Sequence, residues 1–394
     1  MDSAYLAEWA NLLLRWLHVI AGMAWIGASF YFMGLDQSLK APRDGDPLVR
    51  GEQWAVHGGG FYQKKKFIAG PGFLPEPLHW SKWEAYWTWI SGFSLFVLMY
   101  YGQASTYLID PDVADLAPWE AIAISLALLV AAWVAYDLIC RTPLGDDGIA
   151  MAIIGMVALA LSAWIATSVF SGRGAYLQVG AMIGTIMAAN VLMIIIPGQK
   201  KMVAAVVANG PIDPRWGGWG KQRSVHNNYM TLPVIFIMLS PHYPMFWQHE
   251  QAWLLLVAMA LAGALVRQFF NLKHRGIAGY DFWLLGATVV VLVAVLIAPP
   301  KRAVVAAEAV PFAEVRQIME ARCVECHAPR PANTAFAAPP KGVVLHTPNQ
   351  IRRQAQSWAA QVRTEAMPPN NSTGLTEAER ARLLAWVAAG ARLD

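Results

Sequence analysis

Charge is what this sequence has least of. Acidic and basic residues make up 14% of its 394 positions, against 56% apolar, where a soluble domain carries about 25% charged residues. That deficit argues against a wholly soluble chain. Cysteine is almost as scarce. Cys140, Cys323 and Cys326 are the only three, which excludes a disulfide framework. Neither sign of charge dominates, and a net +4 is too weak to draw nucleic acid. The whole excess lies in residues 301–394, with 12 Lys+Arg against 8 Asp+Glu, where it favours docking of an acidic electron-transfer partner.

Apolar runs are what the chain has instead. Eight of them, at about 9–34, 82–102, 118–140, 148–170, 174–197, 224–246, 251–271 and 280–299, approach the roughly 20 residues a membrane-spanning helix needs. The first is no cleavable signal peptide, because Arg15 and His18 stand inside it and no small-residue cleavage site follows. Lys and Arg crowd the segments joining helices 1–2, 3–4, 5–6 and 7–8 and are nearly missing from the others. Basic residues favour the cytoplasmic face, so both chain ends are expected outside. The long inside segment 35–81, with Trp54, Phe61, Tyr62, Phe67 and Phe73, is expected to pack as a lid.

After a linker expected at 301–310, Cys323-Val324-Glu325-Cys326-His327 stands out. Two thiols three positions apart followed by His form the attachment site of a c-type haem, with His327 as proximal iron ligand. Met367, in Ala366-Met367-Pro368-Pro369, suits the opposite axial position, with His346 as its competitor. A zinc half-site lacks a second ligand pair, and a thioredoxin-like dithiol lacks the surrounding strand–helix alternation. An amphipathic helix is expected at about 312–322 and a closing helix at about 376–389, opened by a Thr376/Glu379 capping box. Haem c is attached on the periplasmic side of bacterial membranes, which agrees with the topology drawn from Lys and Arg.

Ionisable side chains at membrane depth are costly and mark functional candidates. His18 shares a helix face with Ala21 and Gly22 at i+3 and i+4, leaving room for a flat porphyrin. His18 is therefore a candidate haem b ligand, with Arg15 toward a propionate and His242 as axial mate. A second, inner haem b would use His226 with His79 or His274. The cluster His226-Asn227-Asn228-Tyr229 offers amides to the edge of a planar ligand, or equally to neighbouring helices.

Several of these motifs together resemble a known family. Leu14-Arg15-Trp16-Leu17-His18, Ala24-Trp25-Ile26-Gly27-Ala28-Ser29-Phe30-Tyr31, His57-Gly58-Gly59-Gly60, Leu78-His79-Trp80, Lys82-Trp83-Glu84-Ala85-Tyr86 and His226-Asn227-Asn228-Tyr229-Met230-Thr231-Leu232-Pro233, with the haem motif, resemble the bacterial membrane-bound urate oxidases. Helix 1 also looks like that of a haem b-binding membrane protoporphyrinogen-oxidase family.

The first resemblance implies an all-α fold: a polytopic bundle of about eight transmembrane helices over 1–300 and a small class I-like mono-haem cytochrome c over 311–394. It implies oxidation of urate to 5-hydroxyisourate in purine catabolism, at the bacterial inner membrane. Electrons would leave through haem c to a soluble cytochrome c or terminal oxidase. Under that expectation His57, Glu84 and His226 are candidate catalytic bases, while Asn227, Asn228, Lys82 and Trp83 are candidate substrate contacts. The competing expectation is a membrane-anchored relay passing electrons from a quinol or dehydrogenase to soluble cytochromes.

Overall fold

The structure is a computed structural model that describes residues 3–68, 70, 71, 73–298, 310–333, 336 and 338–393. It is mostly helical. The first part contains α1 (Ser3–Ser38), a β-hairpin of β1 (Val49–His57) and β2 (Gly60–Phe67), α2 (Trp83–Phe96), α3 (Pro118–Cys140), α4 (Gly148–Thr167), α5 (Gly172–Ala189), α6 (Ile196–Val207), α7 (Pro214–Leu239), α8 (Ala252–His274) and α9 (Tyr280–Leu296).

All eight expected stretches carry helix. Among the described residues, five helical segments are long and apolar enough to cross a membrane: Tyr5–Ser38, Pro118–Cys140, Gly148–Thr167, Gly172–Val207 and Ala252–His274. The other three fall short for separate reasons. α9 has 17 residues, and α2 has 14 before it loosens into a π-helical turn at Val97–Tyr101. α7 is 26 residues long, but its first half is polar.

Helix starts follow local chemistry. Asp147 caps α4 by accepting from the Ile149 and Ala150 amides at 2.8 and 3.1 Å. Asp213 does the same for α7 through the Arg215 amide at 2.9 Å, just ahead of Pro214. These side chains satisfy amides that the first turn leaves without partners.

Small residues let helices of the bundle approach closely. A Cβ on Gly180 would lie 2.6 Å from Ile237 Cγ2, so α5 and α7 touch through that glycine. Leu108, Phe170, Tyr176, Ile237 and Leu256 lie fully buried in the same core. Within it Ser125 Oγ donates to Gln178 Oε1 at 2.6 Å, and Tyr176 Oη donates to the Ala252 carbonyl at 2.7 Å.

Three expectations need correction. The first part is not all-α, because 49–67 forms an antiparallel hairpin with His57 opposite Gly60. Gly58 and Gly59 both have positive φ, as the tight two-residue hairpin turn requires. Nor is this segment a packed lid: Trp54, Tyr62, Phe73 and, at 82%, Phe61 are exposed. Finally, much of 198–223 is helix, not loop. α5 runs through the π-helical Asn190–Ile195 into α6, and α7 folds back on α6, with a Cβ on Gly198 only 2.9 Å from the Trp216 carbonyl.

The expected linker falls outside the described residues except Val310. The last part has a separate core. α10 (Phe312–Arg322), α11 (Val324–His327), α12 (Pro348–Arg353), α13 (Ala355–Arg363) and α14 (Glu377–Ala388) surround Val315, Met319, Trp358, Leu383 and Trp386. The two indoles stack with centroids 6.3 Å apart. The Thr376/Glu379 capping box is formed, with amide contacts of 2.8 and 3.2 Å. This part meets the bundle where Asn370 Nδ2 donates to the Thr106 and Ile109 carbonyls at 3.0 and 3.3 Å. Thr106 and Ile109 lie in the segment after α2, so the last part sits at the end opposite the hairpin and the α6–α7 fold.

Candidate functional site

His18 lies where α1 presses on α2. Its Nδ1 is 2.9 Å from the Thr88 carbonyl and 3.2 Å from Ser91 Oγ. A Cβ on Gly92 would reach 2.6 Å from His18 Cε1 but 3.6 Å from Nε2. The ring therefore turns its Nδ1 edge to α2 and its Nε2 away. A carbonyl on Nδ1 fixes the tautomer that leaves Nε2 as a ligand. Beside it the outer half of α1 is bare, with Leu13, Trp16, Ile20 and Met23 exposed. Arg15, one turn earlier, reaches Asn11 Oδ1 at 3.3 Å and Met99 Sδ at 3.2 Å. His242, expected inside a spanning helix, instead ends a 3-10 turn after α7, exposed and within the electrostatic reach of Arg15.

α7 carries polar side chains on three sides. Toward α3, His226 Nδ1 is 2.9 Å from Tyr136 Oη and 3.7 Å from Cys140 Sγ. His226 is thereby committed away from His79 and His274; the latter lies at Gly34 of α1, where a Cβ would come within 3.3 Å of its ring. Toward α5, Asn227 accepts from Asn190 Nδ2 at 2.8 Å and donates to the Met187 carbonyl at 3.0 Å. Toward α8 and α1, Asn228 Oδ1 accepts from Arg267 Nε at 2.9 Å and Asn271 Nδ2 at 3.2 Å, while its amide nitrogen faces Ser29 Oγ at 3.4 Å. Both asparagines thus tie helices together. Arg267, 4% exposed, rests on the Phe30 ring at 4.2 Å, with neutral partners alone among the described residues.

One turn nearer the hairpin end is a cavity of about 190 Å³. Cys140 and Arg141 of α3, Met193 and Ile194 of the π-helical segment, Lys201 of α6 and Trp216, Trp219 and Arg223 of α7 line it. π-helical turns recur at functional sites because they re-aim side chains. Arg223 pairs with Asp137 at 2.8 Å and lies 5.0 Å from the Tyr136 ring.

The other expected site residues are scattered. His57 is at the exposed hairpin tip. Glu84 and Trp83 open α2, with Lys82 Nζ 5.3 Å from the Trp83 ring, and no hydrogen bond or ion pair joins His57, Glu84 and His226 among the described residues. In the last part, Cys323, Cys326 and His327 share one turn, and His327 Nδ1 is 2.8 Å from the Val343 carbonyl. Burial pushes the Cys323 thiol up to about 12. Met367 is half-buried, its amide donating to the Gln361 carbonyl at 3.3 Å.

Arg223, Arg267, Asn271, Trp216 and Trp219 went unmarked in the sequence. Arg267, inside the apolar run 251–271, carried the clearest signal.

These features define a helical, membrane-competent protein with cationic side chains buried at helix junctions. The urate oxidase N-terminal family matches residues 4–298. The chain belongs to that family, which makes it an oxidoreductase related to urate oxidation. No curated protein and no solved structure matches the chain.

Proposed function

We propose that the chain is a bacterial inner-membrane enzyme that oxidises urate to 5-hydroxyisourate and passes the electrons to a haem c on Cys323 and Cys326. The family match over 4–298 carries this reading, and the haem motif supplies the acceptor. The balance is urate plus water giving 5-hydroxyisourate, two protons and two electrons.

The residues present fit both haems. His327 holds Nδ1 against a carbonyl, so its Nε2 would ligate the iron of a haem c, and Met367 would supply a second ligand. His18 repeats that arrangement toward the bare flank of α1, with Arg15 for a propionate. When bound, the haems supply reversible one-electron redox chemistry. If urate binds at the inner end, electrons must cross a hydrocarbon core of about 30 Å, too far for one tunnelling step, which favours a haem b at His18. The protein's own part is to bind the anion, exclude bulk water and accept protons. His226, hydrogen-bonded to Tyr136 and one turn from Arg223, is the candidate base. The N-terminus and the cytochrome c part lie in the periplasm, in this reading, and reduce a soluble cytochrome c or terminal oxidase.

Adding urate anaerobically to the oxidised full-length protein should reduce haem c with loss of urate. Reduction by quinol with none by urate would replace the enzyme by a membrane-anchored electron relay.

A further inference from the structure

The cavity between α3, α6 and α7 has a wall of unusual composition for the interior of a helical bundle. Arg141, Lys201 and Arg223 line it, and no carboxylate does. Asp137 is the nearest counter-charge, and two guanidinium groups share it: Arg141 Nε at 2.7 Å and Arg223 Nη2 at 2.8 Å. Asp146, the next carboxylate, accepts from Gln222 Nε2 at 2.9 Å. Positive charge therefore outweighs negative charge around this space.

Arg223 is the more telling member. It is 2% exposed, yet its Nε and Nη1 have no hydrogen-bond partner. Buried donors without partners cost about 1–3 kcal/mol each, and more on a charged group. Such a group in a native structure calls for an explanation, a functional role among them. Trp216 and Trp219 precede Arg223 on α7 and share its wall, and Met193, Ile194 and Pro197 supply the apolar side of the cavity. A cationic edge beside indole faces suits a planar, delocalised anion, which would stack on the rings and accept hydrogen bonds at its rim.

We propose that this cavity is the purine-anion site of the protein, with Arg223 as the anchoring cation, Trp216 and Trp219 as stacking surfaces and Lys201 at the mouth. The assignment rests on the urate reading above and adds to it a place and a set of contacts. His226 stands one turn beyond Arg223 and is hydrogen-bonded to the hydroxyl of Tyr136, the residue whose ring lies 5.0 Å from the Arg223 guanidinium. A proton released from bound urate thus has an acceptor close behind the anchoring residue.

The test separates binding from turnover. Dithionite-reduced, anaerobic full-length protein in lipid nanodiscs has no oxidising equivalents, so urate binds without reacting and equilibrium dialysis reads its affinity. Arg223→Gln should weaken binding about tenfold or more, and Arg223→Lys less. Removing Arg223 also breaks the Asp137 pair, so Lys201→Gln and Trp219→Ala, both exposed at the rim, serve as variants that leave the helix packing intact. Each should raise the dissociation constant several-fold, and Lys201→Gln should also flatten its dependence on salt, while ascorbate reduction of haem c stays unchanged. Wild-type binding and oxidation of urate, retained in full by Arg223→Gln, Lys201→Gln and Trp219→Ala, would overturn the site and leave the enzyme reading standing. Wild-type protein that neither binds nor oxidises urate would overturn both.

Discussion

Asn228 is the joint on which α1, α7 and α8 meet, and its replacement by Ala tests the buried network most directly. The change deletes the acceptor of Arg267 Nε at 2.9 Å and of Asn271 Nδ2 at 3.2 Å, and the contact to Ser29 at 3.4 Å. A hydrogen bond to a charged group contributes about 1.5–3 kcal/mol and a neutral one about 0.5–1.5. The expected loss is therefore roughly 3–5 kcal/mol, most of it from the guanidinium left short of partners. Arg267→Met should cost less. It removes the buried charge together with its demand for partners, and the remaining loss is the Asn271 Oδ1 acceptor left without the Arg267 donor at 3.0 Å, about 1–3 kcal/mol. In the Asn228→Ala background the same exchange should restore stability, because the unsatisfied cation is gone. Unfolding of nanodisc-embedded protein, followed by pulse proteolysis, would measure the cycle. A double variant as unstable as Asn228→Ala alone would refute the idea that the uncompensated charge dominates.

Other outcomes follow from single contacts. Gly92→Ala places a methyl 2.6 Å from His18 Cε1. It should cost about 1–3 kcal/mol by overpacking and lower b-type haem content in a pyridine haemochrome assay; unchanged haem and stability would remove His18 from the proposed ligands. In the last part, the Thr376 backbone amide, helped by Arg322, holds the Glu379 carboxyl below the usual carboxylate range. Its folded pKa is below its unfolded value of about 4.3. Its contribution is therefore complete above that pH and lost as pH falls through the folded pKa. Hydrogen exchange in α14 should accelerate on acidification in the native chain, and Glu379→Gln should flatten that dependence. Met367→Ala should alter the axial ligation of haem c and lower its potential, read by redox titration of the full-length protein.

Much of this was legible in residue order. Apolar runs marked eight stretches of the first part that carry helix, though not the body of α6, because a helix pairs its own backbone N–H and C=O groups where apolar sequence is withdrawn from water. Thr376 and Glu379 announced the start of α14, and Asp147 and Asp213 cap helices by the same short-range chemistry. His18 stood out because an imidazole amid Leu, Val and Ile needs a partner, and it has one in the Thr88 carbonyl.

What sequence reading left open is which surfaces face each other. His226, Asn227 and Asn228 are consecutive, yet a helix turns about 100° per residue, so they point to α3, α5 and α8 in turn. The cavity joins Arg141, Lys201 and Arg223 from three helices, a meeting that no local spacing encodes. It exists because α7 folds back along α6 with glycine at the crossing. Composition and periodicity determined that this chain would be mostly helical, with long apolar runs and a Cys-x-x-Cys-His motif in its last part. Only the packing of α3, α6 and α7 decided where its buried positive charge gathers, because Coulomb energy depends on separation in space and not on separation along the chain.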